Sequence, residues 1–412
     1  MDRTHWHVRV NQDTFIQMIS IAVDHIHPIT RRPMPNGIPV HLHDQLDFMD
    51  GHRLDFPRII YYLHDCKIPC QVVLTTDAPI NSWYPMVLGW FDFSQDYISL
   101  ISRSAFDRIK KKEMLLIFTY HEGDHPGRIR QRLTDLCVQH GIDPAMTWLI
   151  SGNSSADQYS NTVYWPETEF IYWRTVDRTA GARYHLLPRS RAYTALCRID
   201  KLWRKVFMSD LWSRGLHQHG YFSYNQYLLG SEENYTDCAL SNDYLAQCQS
   251  TVDEFIAAGP FHVDDLDTHA HNAYNQNMTQ LYEDSYFNVV LETMIDVDGS
   301  GGQLVSEKTF KPIFNNQFFV VVSSADHQRH LRDLGYQTFG RCIDESYDSI
   351  TDNQQRFEAV LSLTRELAGS NQQSLQDLYK KLQPEIQHNS QVFQTGIAHR
   401  LKAVVERINY KP

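Results

Sequence analysis

Long apolar runs are scarce in this chain of 412 residues. No stretch reaches the about 18–20 consecutive apolar residues that a membrane-spanning helix needs, so we expect no membrane span. The amino-terminal stretch MDRTHWHVRV also lacks the apolar core of a signal peptide. The seven cysteines show no paired spacing, which argues against a disulfide framework. These absences favour a reduced, cytoplasmic protein.

Basic residues are fewer than acidic residues, and the formal net charge is −11. An acidic chain has no general electrostatic hold on nucleic acid, which attracts proteins mainly through its phosphates. A local basic groove stays open as an alternative, because basic residues cluster in RYHLLPRSRAYTALCRIDKLWRK and in RIKKK. Hydrophobic residues make up 42% and charged residues 21% of the chain, which is globular composition. At about 150 residues per domain, this length predicts two domains.

Short apolar runs alternate with helical patterns along the chain, which predicts α/β layers with parallel strands. In the first half, the predicted strands end in the polar tips TTDA, HEGD and SGNSS. In open α/β sheets, ligands bind at the edge formed by such strand ends. We place the boundary between the two domains near Arg189.

The stretch DVDGSGGQLVSEKTFKP, residues 296–312, fits two kinds of site. Asp296, Asp298, Ser300, Gly301 and Glu307 fall where a calcium loop of the EF-hand type has its ligands and its turn glycine. The preceding YFNVVLET has the pattern of a strand, however, where an EF-hand has a helix, and no second hand is present in the sequence. The same letters also suit a metal-binding DxD pair, a solvated turn, or a cationic nucleotide-binding segment.

The second half carries motifs of a known family. A strand ends in Glu292-Thr293, and the segment Ser306 to Pro312 reads Ser-Glu-Lys-x-x-Lys-Pro. The apolar QFFVVVSS, the helix end HLRDLGY and the segment Asp344 to Asp348 follow. This region resembles the C-terminal domain of a glycosyltransferase family common in phages and marine bacteria. Together with the basic helix of RIDKLWRKVFMSDLW, it is also similar to the donor site of bacterial fucosyltransferases, although DVDGSGG corresponds to no family element.

The resemblance implies a GT-B fold, in which two Rossmann-like domains face each other across a cleft. The implied acceptor-binding domain is residues 1–189, and the implied nucleotide-sugar domain is residues 190–385. The C-terminal helix, residues 386–412, would return to the first domain. The implied location is the cytoplasm, which would be that of the host if a phage encodes the protein.

The implied activity is transfer of a sugar from a UDP- or GDP-sugar to an acceptor hydroxyl. No cofactor is obligatory and no divalent metal is expected, so cationic side chains and a helix N-terminus must stabilise the leaving diphosphate. The sequence offers Arg204, Lys308 and Lys311, with Ser306 as the predicted helix cap. Lys308 and Lys311 are three residues apart and share one face of that helix. The further donor-binding candidates are Glu307 for ribose hydroxyls, Glu292 for sugar or ribose hydroxyls, and the weaker Tyr286, Ser223 and Asn225.

Each of these residues also has a structural interpretation. Glu307 suits the first turn of any helix, Arg204 suits a solvated helix face, and Glu292 suits a loop-ordering carboxylate. We favour a structural role for Asp344, Glu345 and Tyr347.

An inverting transfer also needs a carboxylate that deprotonates the acceptor. Our first candidate is Glu122 in FTYHEGDHPG, with Asp124 and His125 as alternates and Asp77 as a weaker choice.

The acceptor stays open between a glycan and a hydroxymethylated DNA base such as 5-hydroxymethylcytosine. A flipped base would need aromatic partners, and Trp83, Tyr84 and Trp90 are available. The alternatives are a metal-dependent hydrolase and a calcium-binding module without enzymatic activity. The hydrolase would use two clusters: His41, His43 and Asp44; and His262, Asp264, Asp265, His269 and His271.

Overall fold

The computed structural model describes residues 5–10, 19–24, 71–76, 84–88, 103–112, 114–120, 125–166, 168–169, 172, 181–227, 240–263, 278–295 and 302–409. The chain divides into two compact units. The first comprises Met1–Phe170, Asp298–Leu304 and Ile397–Pro412, and the second comprises Ile171–Val297 and Val305–Gly396.

In the described residues of the first unit, the strands form one sheet in the order β1-β2-β3-β4-β5-β6-β7. Strands β1 to β4 pair antiparallel, and strands β4 to β7 pair parallel. Their bounds are His5–Val10, Ile19–Asp24, Gln71–Thr76, Tyr84–Leu88, Met114–Tyr120, Thr147–Ser151 and Thr162–Tyr164. Helix α1 spans Arg103–Lys110 and α2 spans Pro126–Gln139. Gly141, at φ +66°, follows α2 and ends it, because glycine adopts this left-handed conformation without strain.

The sheet of the second unit has the order β11-β10-β8-β9, and each neighbouring pair is parallel. The bounds are Arg191–Ile199 for β8, Tyr221–Tyr227 for β9, Ser285–Leu291 for β10 and Phe318–Val322 for β11. From β8 the chain adds β9 on one side, then returns to add β10 and β11 on the other side. The strand order therefore reverses between β8 and β10.

Helices connect and cover these strands. They are α3 Leu202–Ser213, α4 Asn242–Ala258, α5 Thr279–Glu283, α6 Glu307–Phe314, α7 His327–Asp333, α8 Asn353–Gly369, α9 Gln372–Lys381 and α10 Gln383–Asn409. Among the described residues, no helix is both long and apolar enough to cross a membrane.

The core of the second unit is built on strands that are buried on both faces. Every residue of β10 and β11 is buried, which explains their continuous apolar sequence. Phe287 of β10 stacks on Phe318 of β11 with ring centroids 5.5 Å apart, and it also meets Tyr193 of β8 at 5.7 Å.

The predicted α/β class with largely parallel strands is confirmed. The boundary that we expected near Arg189 falls inside the second unit, which begins at Ile171. Helix α10 is grouped with the second unit up to Gly396 and with the first unit from Ile397.

Candidate functional site

The candidate site lies where the strand order of the second unit reverses. Strands β8 and β10 run side by side and end at Ile199 and Leu291. The Lys201 ammonium donates a hydrogen bond to the Thr293 carbonyl (2.5 Å), so it joins the segments that follow the two strands. Ligands of doubly wound α/β folds bind outside the carboxyl ends of strands at such a reversal.

Glu292 orders the chain at this point. Its side chain is fully buried. One carboxylate oxygen accepts the Thr293 N–H (2.9 Å), and the other accepts the Ser306 N–H (3.1 Å) and the Thr309 hydroxyl (2.6 Å). Both oxygens are therefore used to fix the segment that enters α6. This placement supports the loop-ordering role of Glu292 and leaves it no exposed surface for donor hydroxyls.

Ser306 caps helix α6, as the sequence predicts. Its hydroxyl accepts the Lys308 N–H (3.3 Å), and the serine backbone is extended, as the N-cap position requires. The helix begins at Glu307, and its first turn lies beside the end of β10, because Ser306 bonds to Glu292 and Lys308 bonds to Thr293.

Lys308 connects the helix to the strand end. Its ammonium is 3.2 Å from the Thr293 hydroxyl, 3.4 Å from the Ser306 hydroxyl and 3.1 Å from a Glu307 carboxylate oxygen. The Lys308 side chain is 27% exposed and that of Glu307 is 16% exposed. Lys308 is therefore half-buried and still reachable from solvent.

Cations surround the Glu307 carboxylate. Burial raises the pKa of Glu307, but Lys308 and Lys311 lower it, and the net pKa lies below the usual range. The pKa of Lys311 is lowered by burial and by the charges of Lys308 and Arg198, against the raising effect of Glu307. Two lysines thus lie near one carboxylate in the first turn of a helix, and Arg198 lies near Lys311. This excess positive charge suits an anionic group such as a phosphate.

Arg204 has a different role from the one that the sequence suggests. The side chain is 2% exposed. Its guanidinium donates to the carbonyls of Ile199 (3.3 Å) and Leu291 (3.1 Å), and also to that of Glu292. Arg204 therefore ties the ends of β8 and β10 together from within the core. At 2% exposure it is not a solvated helix residue, and these three bonds are all to main-chain carbonyls.

Tyr286 and Ser223 lie outside the cationic cluster. Tyr286 is buried near the amino end of β10, the opposite end from Glu292, and its hydroxyl accepts the Arg189 N–H (3.0 Å). Ser223 lies within β9, and its hydroxyl donates to the Asn225 side chain (3.4 Å). Neither is brought together with Lys308 and Lys311.

The segment Asp344 to Asp348 forms local structural bonds. The Asp348 carboxylate accepts the N–H groups of Gln328 (2.7 Å) and Arg329 (3.0 Å) at the start of α7. Glu345 accepts the Phe339 N–H (2.8 Å), and Asp344 accepts the Ser346 N–H (2.9 Å). The Tyr347 hydroxyl accepts a bond from the Gln328 amide (3.1 Å). These contacts agree with the structural role that we favoured.

Of the three catalytic candidates in the first unit, Glu122 and Asp124 lie outside the described residues. His125 is the N-cap of α2, where its Nδ1 accepts the Gly127 N–H (3.1 Å). Its Nε2 is 3.4 Å from the Tyr159 hydroxyl. Because Nδ1 acts as an acceptor, the neutral ring carries its proton on Nε2.

The metal and calcium alternatives depend mainly on residues outside the described ranges, including Asp296, Asp298, His41, His43 and the cluster from Asp264 to His271. Strand β10 precedes the glycine-rich loop, where an EF-hand has a helix. Within the described parts of the chain, no group of three or more His, Cys, Asp or Glu side chains is placed to hold a metal ion.

Arg198 and Lys201 were missed by the sequence analysis, and Thr293 was named only as the end of a strand. Arg198 and Lys201 lie at the junction of β8 and α3, within the basic stretch whose cations we assigned to a helix. The β-branched and aromatic residues of RAYTALCRI are the signal that identifies β8 and places Arg198 at its carboxyl end.

Compared with known proteins, the chain matches no protein-family model, no curated protein and no solved structure. The family resemblance described above therefore depends on the sequence motifs alone.

Proposed function

We propose that the protein is a glycosyltransferase that uses a nucleotide-diphosphate sugar. The observation that carries the proposal is the cationic cluster of Lys308 and Lys311 on α6 and Arg198 at the end of β8, at the reversal of strand order. A pyrophosphate is the anion that such a combination of cations and helix N-terminus favours. The motifs that resemble the glycosyltransferase family contribute two of these three cations.

The chemistry follows from the charge that develops during transfer. The bond between the anomeric carbon and the β-phosphate oxygen breaks, and its electron pair stays on that oxygen. Lys308 and Lys311, with Arg198 beside them, stabilise this charge without a metal ion. Buried Glu292 and Arg204 do not contact the sugar donor in this proposal. They hold the strand ends and Ser306 in position.

The acceptor loses the proton of its hydroxyl to a base as the new glycosidic bond forms. Glu122, with Asp124 and His125 as alternates, stays our proposal for that base. His125 would have to give up its capping bond to act through Nδ1. We also propose the GT-B arrangement, with a glycan or a hydroxymethylated DNA base as acceptor.

A nucleotide screen tests this function. We expect one or more of UDP, GDP, CMP, dTDP and their sugar conjugates to raise the melting temperature and to bind in isothermal titration calorimetry. Lys308→Ala should weaken the binding of that nucleotide about 10- to 100-fold, because a charge-assisted bond contributes about 1.5–3 kcal/mol. The far-ultraviolet circular dichroism should be unchanged.

Lys380→Ala is the matched control, since Lys380 is an exposed lysine in the last turn of α9. This control should bind the nucleotide as the wild type does. The proposal is wrong if no nucleotide binds the wild type, or if both variants bind equally well. Stabilisation by Ca²⁺ or Zn²⁺ in place of any nucleotide would favour the metal alternatives.

A further inference from the structure

Glu307 occupies a position that an incoming phosphate would have to share. Its carboxylate accepts a bond from the Lys308 ammonium (3.1 Å) and from its own main-chain N–H, the first of helix α6. These two donors are the kind that bind phosphate at a helix N-terminus. The carboxylate is mostly shielded from solvent, at 16% exposure. Its charge is therefore felt strongly by any anion placed beside Lys308.

The charge of the ligand changes during the proposed reaction. A nucleotide-diphosphate sugar is a diester, so its β-phosphate carries a single negative charge. When the sugar leaves, the β-phosphate becomes a terminal phosphate with about −1.5 to −2 charges. The additional charge appears on the oxygen that the cations of the cluster stabilise. Glu307 repels this charge because its own carboxylate lies against the same cations.

We infer that Glu307 is a specificity-determining residue that favours the pyrophosphate diester over the free nucleotide and speeds release of the nucleotide product. The inference rests on the proposed function and names the ligand state that the site selects. Lys308 and Lys311 attract both ligand states, whereas Glu307 opposes the more highly charged one. The same repulsion discriminates against nucleoside triphosphates, which carry further charge.

Removal of this charge without loss of shape tests the inference. The probes are UDP against UDP-glucose and GDP against GDP-mannose, titrated calorimetrically into the wild type, Glu307→Gln and Glu366→Gln. Glu366 is an exposed glutamate on α8 and serves as the matched control. We expect Glu307→Gln to tighten binding of the free diphosphate about tenfold more than binding of its sugar conjugate. The control should keep the wild-type ratio.

The outcomes separate the inference from the proposed function. If the wild type binds a diphosphate nucleotide and Glu307→Gln leaves the ratio of the two affinities unchanged, the inference is overturned and the proposed function stands. The inference is also overturned if the variant weakens the diphosphate more than the conjugate. If another nucleotide of the screen binds in place of these probes, its free and sugar-conjugated forms are titrated instead. If the wild type binds no nucleotide, both fall. Should Glu307→Gln fail to fold by circular dichroism, Glu307→Ala removes the same charge and is measured in its place.

Discussion

Two carboxylates, those of Glu292 and Glu307, lie next to Ser306. The groups that bond to each carboxylate show that the two have different roles. Glu292 accepts bonds only from uncharged groups and is fully buried. Glu307 faces cations and retains some exposure. From the motif Glu-Thr and the later Ser-Glu-Lys, we predicted that both acids bind hydroxyl groups of the sugar donor. Only the fold tells which of them is available, because burial depends on neighbours that are distant in the sequence.

Two histidines of α7 are expected to make folding sensitive to acid. Burial, with smaller effects of His327 and Arg329, lowers the pKa of His330 to about 3, and burial also lowers the pKa of His327. The unfolded chain binds protons at these positions below about pH 6.5, while the folded chain does not. The free energy of unfolding should therefore fall as the pH drops from about 6.5 toward 3, by at most about 1.4 kcal/mol per pH unit for each histidine.

Urea unfolding at a series of pH values checks this expectation. His330→Gln should flatten the decline in the free energy of unfolding between pH 6.5 and 4. His262→Gln should leave the decline as in the wild type, because His262 is exposed. An identical decline in His330→Gln and in the wild type would contradict the prediction.

Helix α7 depends on a cap from a separate segment of the chain. Its N-cap residue, Asp326, has a left-handed backbone (φ 67°) and makes no side-chain cap bond. Asp348 instead accepts the N–H groups of Gln328 and Arg329. Asp348→Ala should lower the free energy of unfolding by about 1–2 kcal/mol, as loss of a helix cap does. Asp333→Ala, at the exposed end of the same helix, should have almost no effect or should stabilise slightly.

Thermal and urea unfolding of the two variants measure the difference. Equal stability of Asp348→Ala and the wild type would show that the cap contributes nothing. Nucleotide binding should persist in folded Asp348→Ala, since Asp348 is not among the residues of the cationic cluster.

The sequence predicted most of the elements that carry the site. The strand preceding the glycine-rich loop, the cap at Ser306, helix α6 and strand β11 all follow from local patterns. Strand β8 was missed because its two arginines, Arg191 and Arg198, place it within a basic stretch. It also buries a polar residue, Thr194. The Thr194 hydroxyl is satisfied by the Ser285 hydroxyl of β10, at 2.6 Å. A local pattern cannot reveal a polar partner that only the folded sheet supplies.

The end of the glycine-rich loop is another feature that local patterns do not predict. The Gln303 N–H donates to the Ser154 hydroxyl (2.7 Å), and the Gln303 carbonyl accepts the Ser154 N–H (2.9 Å). A side chain at Gly302 would place its Cβ 1.8 Å from the Asn153 amide oxygen. The glycine therefore permits a close approach to residues about 150 positions earlier. The sequence of the glycine-rich loop alone is equally compatible with a solvated turn.

The overall charge of the molecule bears on the open question of the acceptor. With a net charge of −11, the chain should show no measurable binding to an unmodified 20-base-pair duplex at about 150 mM salt and micromolar protein. Fluorescence anisotropy of a labelled duplex measures this. Tight binding that weakens steeply with added salt would contradict the expectation and would favour a DNA acceptor. A glycan acceptor needs no such dependence on salt.

Arg204 bonds to the carbonyls at the ends of β8 and β10. These bonds affect how random-mutagenesis data for this protein should be interpreted. A selection for lost activity will recover Arg204 substitutions beside those of Lys308, and the two groups will look alike in a plate assay. They will differ in soluble yield, because replacement of Arg204 leaves three main-chain carbonyls without their buried donor. Expression level thus distinguishes the arginine that maintains the architecture from the lysine that we propose as a ligand contact.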